Sequence, residues 1–261
     1  MRTFWKPLAA SLLCAYSIAS QAGFKEEFTK KFPAAQGAQI ERAFPGFYSV
    51  VKGSEIYFVR DDMSILIAGN VVDLKSNRSL TAALQAKAED NRPKLDVAQL
   101  DLNDAIKFGQ GSRRLFVFSD PDCPYCRTLE GSLSQLSDVT IYIFPFPLAQ
   151  LHPNAPGVSE AIWCQADRAQ AWRDYQGLAK LVSPDRLMSA WRDHLRQRGQ
   201  PEQPLCANPI ARNLALGEKW RIAGTPALVF EDGALIPGAV PAERIEAQLA
   251  KSHSALKGGK K

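Results

Sequence analysis

The sequence of 261 residues contains no apolar run of the roughly 20 residues that a membrane-spanning helix needs, so it does not predict a membrane-embedded protein. Nor does it carry a large surplus of either charge. Lys plus Arg is 32 against 27 Asp plus Glu, and the excess is dispersed, which leaves no electrostatic footprint for nucleic acid. Histidine is scarce, with only His152, His194 and His253, and these show no metal-ligand spacing. Internal repeats and low-complexity tracts are missing. With 46% hydrophobic residues and 17 each of Gly and Pro, a disordered chain, a collagen and a coiled-coil rod are also excluded. The length leaves room for two domains, each with its own core.

What is present begins with a leader. Residues 1–22 place Arg2 and Lys6 before an apolar run from Leu8 to Ala19, followed by Ser20, Gln21 and Ala22, the pattern of a cleaved secretory signal peptide. Export follows, and it changes the meaning of the cysteines. Of five, Cys14 leaves with the leader, and Cys123, Cys126, Cys164 and Cys206 remain. An even count in an oxidising compartment is compatible with two disulfides in any of three connectivities.

Two patterns divide the rest. Phe24 to Phe32 predicts a short amphipathic helix. Phe47–Val51, Glu55–Arg60 and Ser64–Leu74 are rich in β-branched and aromatic residues and predict an antiparallel meander, which with the helix makes an N-terminal domain of residues 23–79. A sheet that small needs cover, and dimerisation would supply it. Residues 80–111, with spaced leucines and Pro93, read as a helical linker ended by Gly109 and Gly111. From 112 to 251 the order is strand (Arg114–Phe118), helix, strand (Val139–Phe144), a helical region from Ala155 to Trp220, a hairpin of Ala227–Phe230 and Ala234–Ile236, and a closing helix from Pro241. That is the order of a thioredoxin-like domain with a helical insertion. Residues 252–261 read as a flexible tail.

Cys123-Pro124-Tyr125-Cys126 follows a predicted strand and opens a predicted helix. At that spacing the two sulfurs can reach disulfide geometry, and the first meets the unpaired N–H groups and positive dipole end of the helix, which favour a thiolate. Cys123 is therefore the predicted nucleophile and Cys126 the resolving thiol. A zinc half-site is disfavoured because no second CxxC accompanies this one, and a purely structural disulfide would close too short a loop to restrain the unfolded chain much. Gly224-Thr225-Pro226-Ala227 opens a strand, where a cis proline would turn the backbone of Thr225 towards a bound polypeptide. Asp120 and Asp122 are expected to cap the active-site helix, with tuning of the thiolate as the lesser alternative, Tyr125 to contact substrate, His152 to be a loop residue rather than a catalytic base, and Trp163, Trp172, Trp191 and Trp220 to be packing residues.

Phe116-Val-Phe-Ser-Asp-Pro-Asp-Cys-Pro-Tyr-Cys126, Ala161-Ile-Trp-Cys164, Ala215-Leu-Gly217, Gly224-Thr-Pro-Ala-Leu-Val229 and Leu66-Ile-Ala-Gly-Asn-Val-Val-Asp-Leu74 together resemble the DsbC/DsbG family of periplasmic disulfide isomerases. The resemblance implies a homodimer of cystatin-like N-terminal dimerisation domains joined to thioredoxin-like catalytic domains, an α+β and α/β two-domain chain. It implies Cys123 as attacking thiol, Cys126 as its partner, Thr225 and Pro226 as the substrate-binding cis-proline segment, and a non-catalytic Cys164–Cys206 disulfide. It implies no cofactor beyond the redox-active Cys123–Cys126 pair and no metal. The expected partners are misfolded or oxidised exported proteins, with a DsbD-like membrane reductase as electron donor. Pro124-Tyr125 is closer to the DsbG branch, which keeps a sulfenic-acid reductase beside the isomerase as an alternative, and a holdase dimer is the reading from another class.

Overall fold

The computed structural model describes residues 12–53, 55–201 and 206–258, of which 12–21 and 256–258 by backbone alone. The first part of the expected leader thus lies outside the described residues, and its remainder is helical. The chain forms two compact units, Met1–Asn91 and Arg92–Lys261.

In the first unit, helix α1 (Leu12–Lys31) precedes strands β1 (Gln39–Phe44), β2 (Phe47–Lys52), β3 (Glu55–Arg60) and β4 (Leu66–Ala68), a sheet in that order. The expected short helix is therefore part of a longer one. Phe24 and Phe28 face the sheet, and the Phe24 ring stacks on Tyr48 at 3.9 Å between centroids. The strand expected over Ser64–Leu74 is interrupted. Gly69, at φ +140°, turns the chain out of the sheet, and the hairpin of β5 (Val72–Asp73) and β6 (Arg78–Ser79) follows. Helix α2 (Leu80–Asp90), capped by the Ser79 hydroxyl accepting from Ala82 N at 2.9 Å, completes the unit.

The helical linker expected over 80–111 is corrected at this point. Only α2 is a regular helix there, and it belongs to the first unit. Beyond Pro93, the chain makes two short 3-10 turns, each started by an aspartate side chain (Asp96, Asp101) accepting from a backbone N–H two residues on. Leu95, Val97, Leu100 and Leu102 pack onto the second unit's core, and the Asp104 carboxylate is held by both Nε and Nη2 of Arg212. Residues Ile106–Phe108 are a strand, β7.

The second unit then runs through β8 (Arg113–Ser119), α3 (Pro124–Leu133), β9 (Val139–Pro145), α4 (Ala155–Trp163), α5 (Arg168–Leu181), α6 (Pro184–Gln197), α7 (Ile210–Lys219), β10 (Ala227–Phe230), β11 (Leu235–Pro237) and α8 (Ala242–Gly258). The sheet order is β11-β10-β8-β9-β7, with β8 and β9 parallel and the other pairs antiparallel. Side chains alternate across β8. Leu115 and Val117 enter a core built with α3, α4, α5, α6 and α8, while Phe116 and Phe118 enter one built with α7 and residues 95–105. Burial on both faces explains why the central strands read as unbroken apolar runs. The flexible tail expected over 252–261 is corrected for residues 252–258, where α8 continues to Gly258 and Ser252 is buried, its hydroxyl accepting from Asp232 N; residues 259–261 lie outside the described residues.

Candidate active site

β8 ends at Ser119, and four residues later Cys123 occupies the N-cap of α3, with Pro124 at the first helical position where its missing N–H costs nothing. Neither aspartate caps the helix as expected. Asp120 instead folds the turn, its Oδ1 accepting from Asp122 N at 2.8 Å and its carbonyl from Cys123 N at 3.2 Å. Because β10 runs antiparallel to β8 with Ala227 opposite Phe118, the residues just before β10 lie beside the end of β8. The Thr225–Pro226 peptide bond there is cis, and the Cys123 thiol donates to the Thr225 carbonyl at 3.4 Å. Register alone thus brings together two segments separated by 102 residues.

The two thiols are chemically unequal. The Cys126 thiol donates to the Cys123 sulfur, and with the backbone N–H groups of Cys126 and Tyr125 and the Thr225 hydroxyl it outweighs burial and pulls the Cys123 thiol down to about 5. Burial, joined by the negative charge developing on Cys123, pushes Cys126 far above the ordinary thiol range, while the Ser119 hydroxyl and the Asp120 N–H oppose that rise. One sulfur is a ready nucleophile. Its partner is a proton donor that becomes nucleophilic only when Cys123 carries no charge. Between them Tyr125 projects outward, 68% exposed.

Several contacts that the sequence did not reveal surround this pair. Asp120 is fully buried, and its Oδ2 receives Leu148 N at 2.7 Å and lies 3.0 Å from His152 Nδ1, so the loop after β9 is tied to the cysteine turn. His152 is therefore part of the site's framework. One face of α5 grips the site from the other side. Trp172 Nε1 donates to Glu130 of α3 at 2.9 Å, the Tyr175 hydroxyl donates to Asp122, and Gln176 Nε2 donates to the Pro121 carbonyl at 3.1 Å. The i, i+3, i+4 spacing of these three residues was the available signal, but it reads equally as core packing. The four tryptophans Trp163, Trp172, Trp191 and Trp220 are indeed buried.

Cys164, at the end of α4, is bonded to Cys206, with 5.8 Å between Cα atoms. Among the described residues, no cluster of three or more His, Cys, Asp and Glu has the arrangement of a metal site.

Residues 100–253 match the model of a thioredoxin-like domain, and residues 15–82 that of the disulfide bond isomerase protein N-terminal domain. A probable thiol:disulfide interchange protein DsbC of Bordetella avium is 31% identical over 215 residues, covering 80% of this chain and 67% of the relative. The chain belongs to the DsbC family. The thiol:disulfide interchange protein DsbC of Escherichia coli K12 is 25% identical, with 82% of this chain and 81% of that one covered. ScsC of Proteus mirabilis in a compact conformation shares the fold, with a TM-score of 0.50, 24% identity, 69% of this chain and 89% of that one. As a member of the DsbC family, the protein is a thiol:disulfide oxidoreductase with an N-terminal DsbC-type domain and a thioredoxin-like domain. No helix among the described residues is long and apolar enough to cross a membrane.

Proposed function

We propose that the protein is a periplasmic isomerase that reshuffles wrong disulfides in exported proteins through Cys123 and Cys126. The observation that carries this reading is the inequality of the two thiols, with Cys123 drawn down to about 5 beside an exposed Tyr125 and a cis-proline strand while Cys126 stays buried and protonated. The Cys123 thiolate attacks one sulfur of a substrate disulfide. The substrate S–S bond breaks, a mixed disulfide forms, and the other substrate sulfur leaves as a thiolate. That thiolate can attack a second disulfide of the same substrate, and a freed substrate sulfur then displaces Cys123, with no net change in oxidation state. Alternatively Cys126 loses its proton and attacks the mixed disulfide, which forms the Cys123–Cys126 bond and releases a substrate reduced by two electrons.

The second route leaves the pair oxidised, so a dithiol donor must return two electrons and two protons. A DsbD-like membrane reductase is the proposed donor, and the cysteine pair is the whole redox group. Thr225, turned by its cis bond to Pro226, offers backbone to an extended substrate segment, and Tyr125 an aromatic surface. The leader-like start of the sequence supports export. A homodimer is supported by the edge strand β4, on which Leu66 is 57% exposed.

Refolding of a scrambled multi-disulfide protein, with the solution mass measured on the same sample, tests the reading. A dimer that restores native substrate, and loses this in Cys123→Ala, is the expected result. A dimer that leaves scrambled substrate untouched but reduces a sulfenylated protein establishes the alternative reductase, and protection that survives removal of both thiols establishes a holdase. A monomer refutes the proposed dimer.

A further inference from the structure

Asp122 precedes the attacking thiol by one residue, and the fold treats it as more than part of a turn. Its carboxylate is half-buried and receives the Tyr175 hydroxyl from α5. Three further groups face it: Asp120 just after β8, Arg127 on the first turns of α3, and His152 from the loop after β9. Burial pushes the Asp122 carboxyl above the usual carboxylate range, and Asp120 adds to this. The Tyr175 hydroxyl is the largest influence in the opposite sense, and His152 and Arg127 act with it. Tyr175 is itself fully buried, its ring edge-on to Trp191 at 5.3 Å, so its hydroxyl is aimed at Asp122 by packing within the helical insertion.

We propose that Tyr175 and Asp122 form a redox-tuning pair, in which α5 maintains a negative charge beside Cys123 and so biases the protein towards giving electrons away. The proposal rests on Cys123 being the attacking thiol. A carboxylate on the neighbouring residue, in a site partly shielded from water, opposes the Cys123 thiolate by like charge. The exchange in question is the reduced pair plus glutathione disulfide giving the Cys123–Cys126 disulfide and two glutathione thiols. Whatever destabilises the Cys123 thiolate destabilises the reduced side of that balance and makes the pair a stronger reductant. Asp122 and Tyr175 are positioning residues, acting through the charge state of Cys123 and not on the substrate.

Asp122→Asn, Tyr175→Phe and the double variant test this in the full chain. Two readouts are used: the pH profile of Cys123 alkylation by iodoacetamide, and the equilibrium with a glutathione buffer. In Asp122→Asn the alkylation midpoint is expected to fall by about half a unit or more, with the glutathione equilibrium moving about threefold or more towards the dithiol. Tyr175→Phe is expected to shift both in the same direction by a smaller factor, and the double variant to match Asp122→Asn. That pattern separates tuning from a merely structural contact, which would lower stability without moving the acidity of Cys123. Unchanged or opposite shifts in Asp122→Asn, or additive shifts in the double variant, overturn the proposal, and if Asp122→Asn does not fold, Tyr175→Phe alone decides it in the same way. Cys123→Ala is run alongside: if it retains exchange activity, the underlying assignment of the nucleophile fails instead.

Discussion

The sulfur of Cys123 lies 3.4 Å from the carbonyl oxygen of Thr225, a residue contributed by a different strand end. Thr225 also presents its hydroxyl to the same sulfur, so one residue serves both protonation states. Its carbonyl accepts from the thiol, and its hydroxyl donates to the thiolate.

Cys123 should therefore react with alkylating reagents along a titration curve centred near pH 5, while Cys126 stays unreactive through neutral pH. The stability of the reduced protein should follow. A thiol whose folded value lies below its unfolded one contributes stability that is complete above the unfolded value and is lost as pH falls through the folded one. Urea unfolding of the reduced protein, compared with Cys123→Ser between pH 8 and pH 4, should show this contribution shrinking and vanishing below about pH 5. A wild-type-minus-variant difference that is flat over that range would contradict the low thiol value.

The Ser119 hydroxyl donates to the Cys126 sulfur and holds down its otherwise steep rise. Ser119→Ala should slow the resolving step on the order of tenfold, the effect of a lost hydrogen bond to a charged buried group. Mixed disulfides between Cys123 and a model peptide should then accumulate on non-reducing gels, with the initial attack rate unchanged.

Cys164 and Cys206 are 42 positions apart. Replacing both with alanine should lower unfolding free energy by about 4 kcal/mol at most, the chain-entropy value for a loop of that size. Chemical denaturation measures the loss, and thiol exchange by the folded variant should persist, because the bridge contributes no reacting atom.

Burial raises the Glu130 carboxyl above its ordinary value of 4.5, and the Trp172 indole N–H and Lys180 only partly counter it. A raised folded value gives stability that is complete below the unfolded value and lost as pH rises through the folded one. Glu130→Gln keeps an acceptor for Trp172 and removes the ionisation. It should be the more stable protein at pH 7 and lose that advantage below about pH 4.5, as thermal melts in a pH series would show.

Much of this architecture is legible in the sequence because its strands are buried on both faces. Leu115, Phe116, Val117 and Phe118 announce β8 whichever way they point, and the cysteine spacing announces the helix after it. β1 was missed because Glu41 and Arg42 interrupt its pattern at a sheet edge, and β7 because Ile106-Lys107-Phe108 is too short to show a period. The contacts that surround the cysteines were hidden for another reason. Trp172 and Tyr175 are aromatic residues on a helix, and only tertiary structure shows that their polar atoms, rather than their rings alone, reach Glu130 and Asp122.

β7 closes the outer side of the catalytic sheet by pairing with β9, although it lies in a stretch that composition assigns to the connection between domains. A catalytic fragment begun at residue 112 would carry β9 with a row of unpaired peptide groups from Ile141 to Ile143, a template for strand addition by any neighbouring chain. Such a fragment is expected to self-associate. One begun at residue 92 keeps the closing strand and the Asp104–Arg212 clasp that anchors it, and should stay dispersed. The portable catalytic module is thus longer at its start than its chemistry requires.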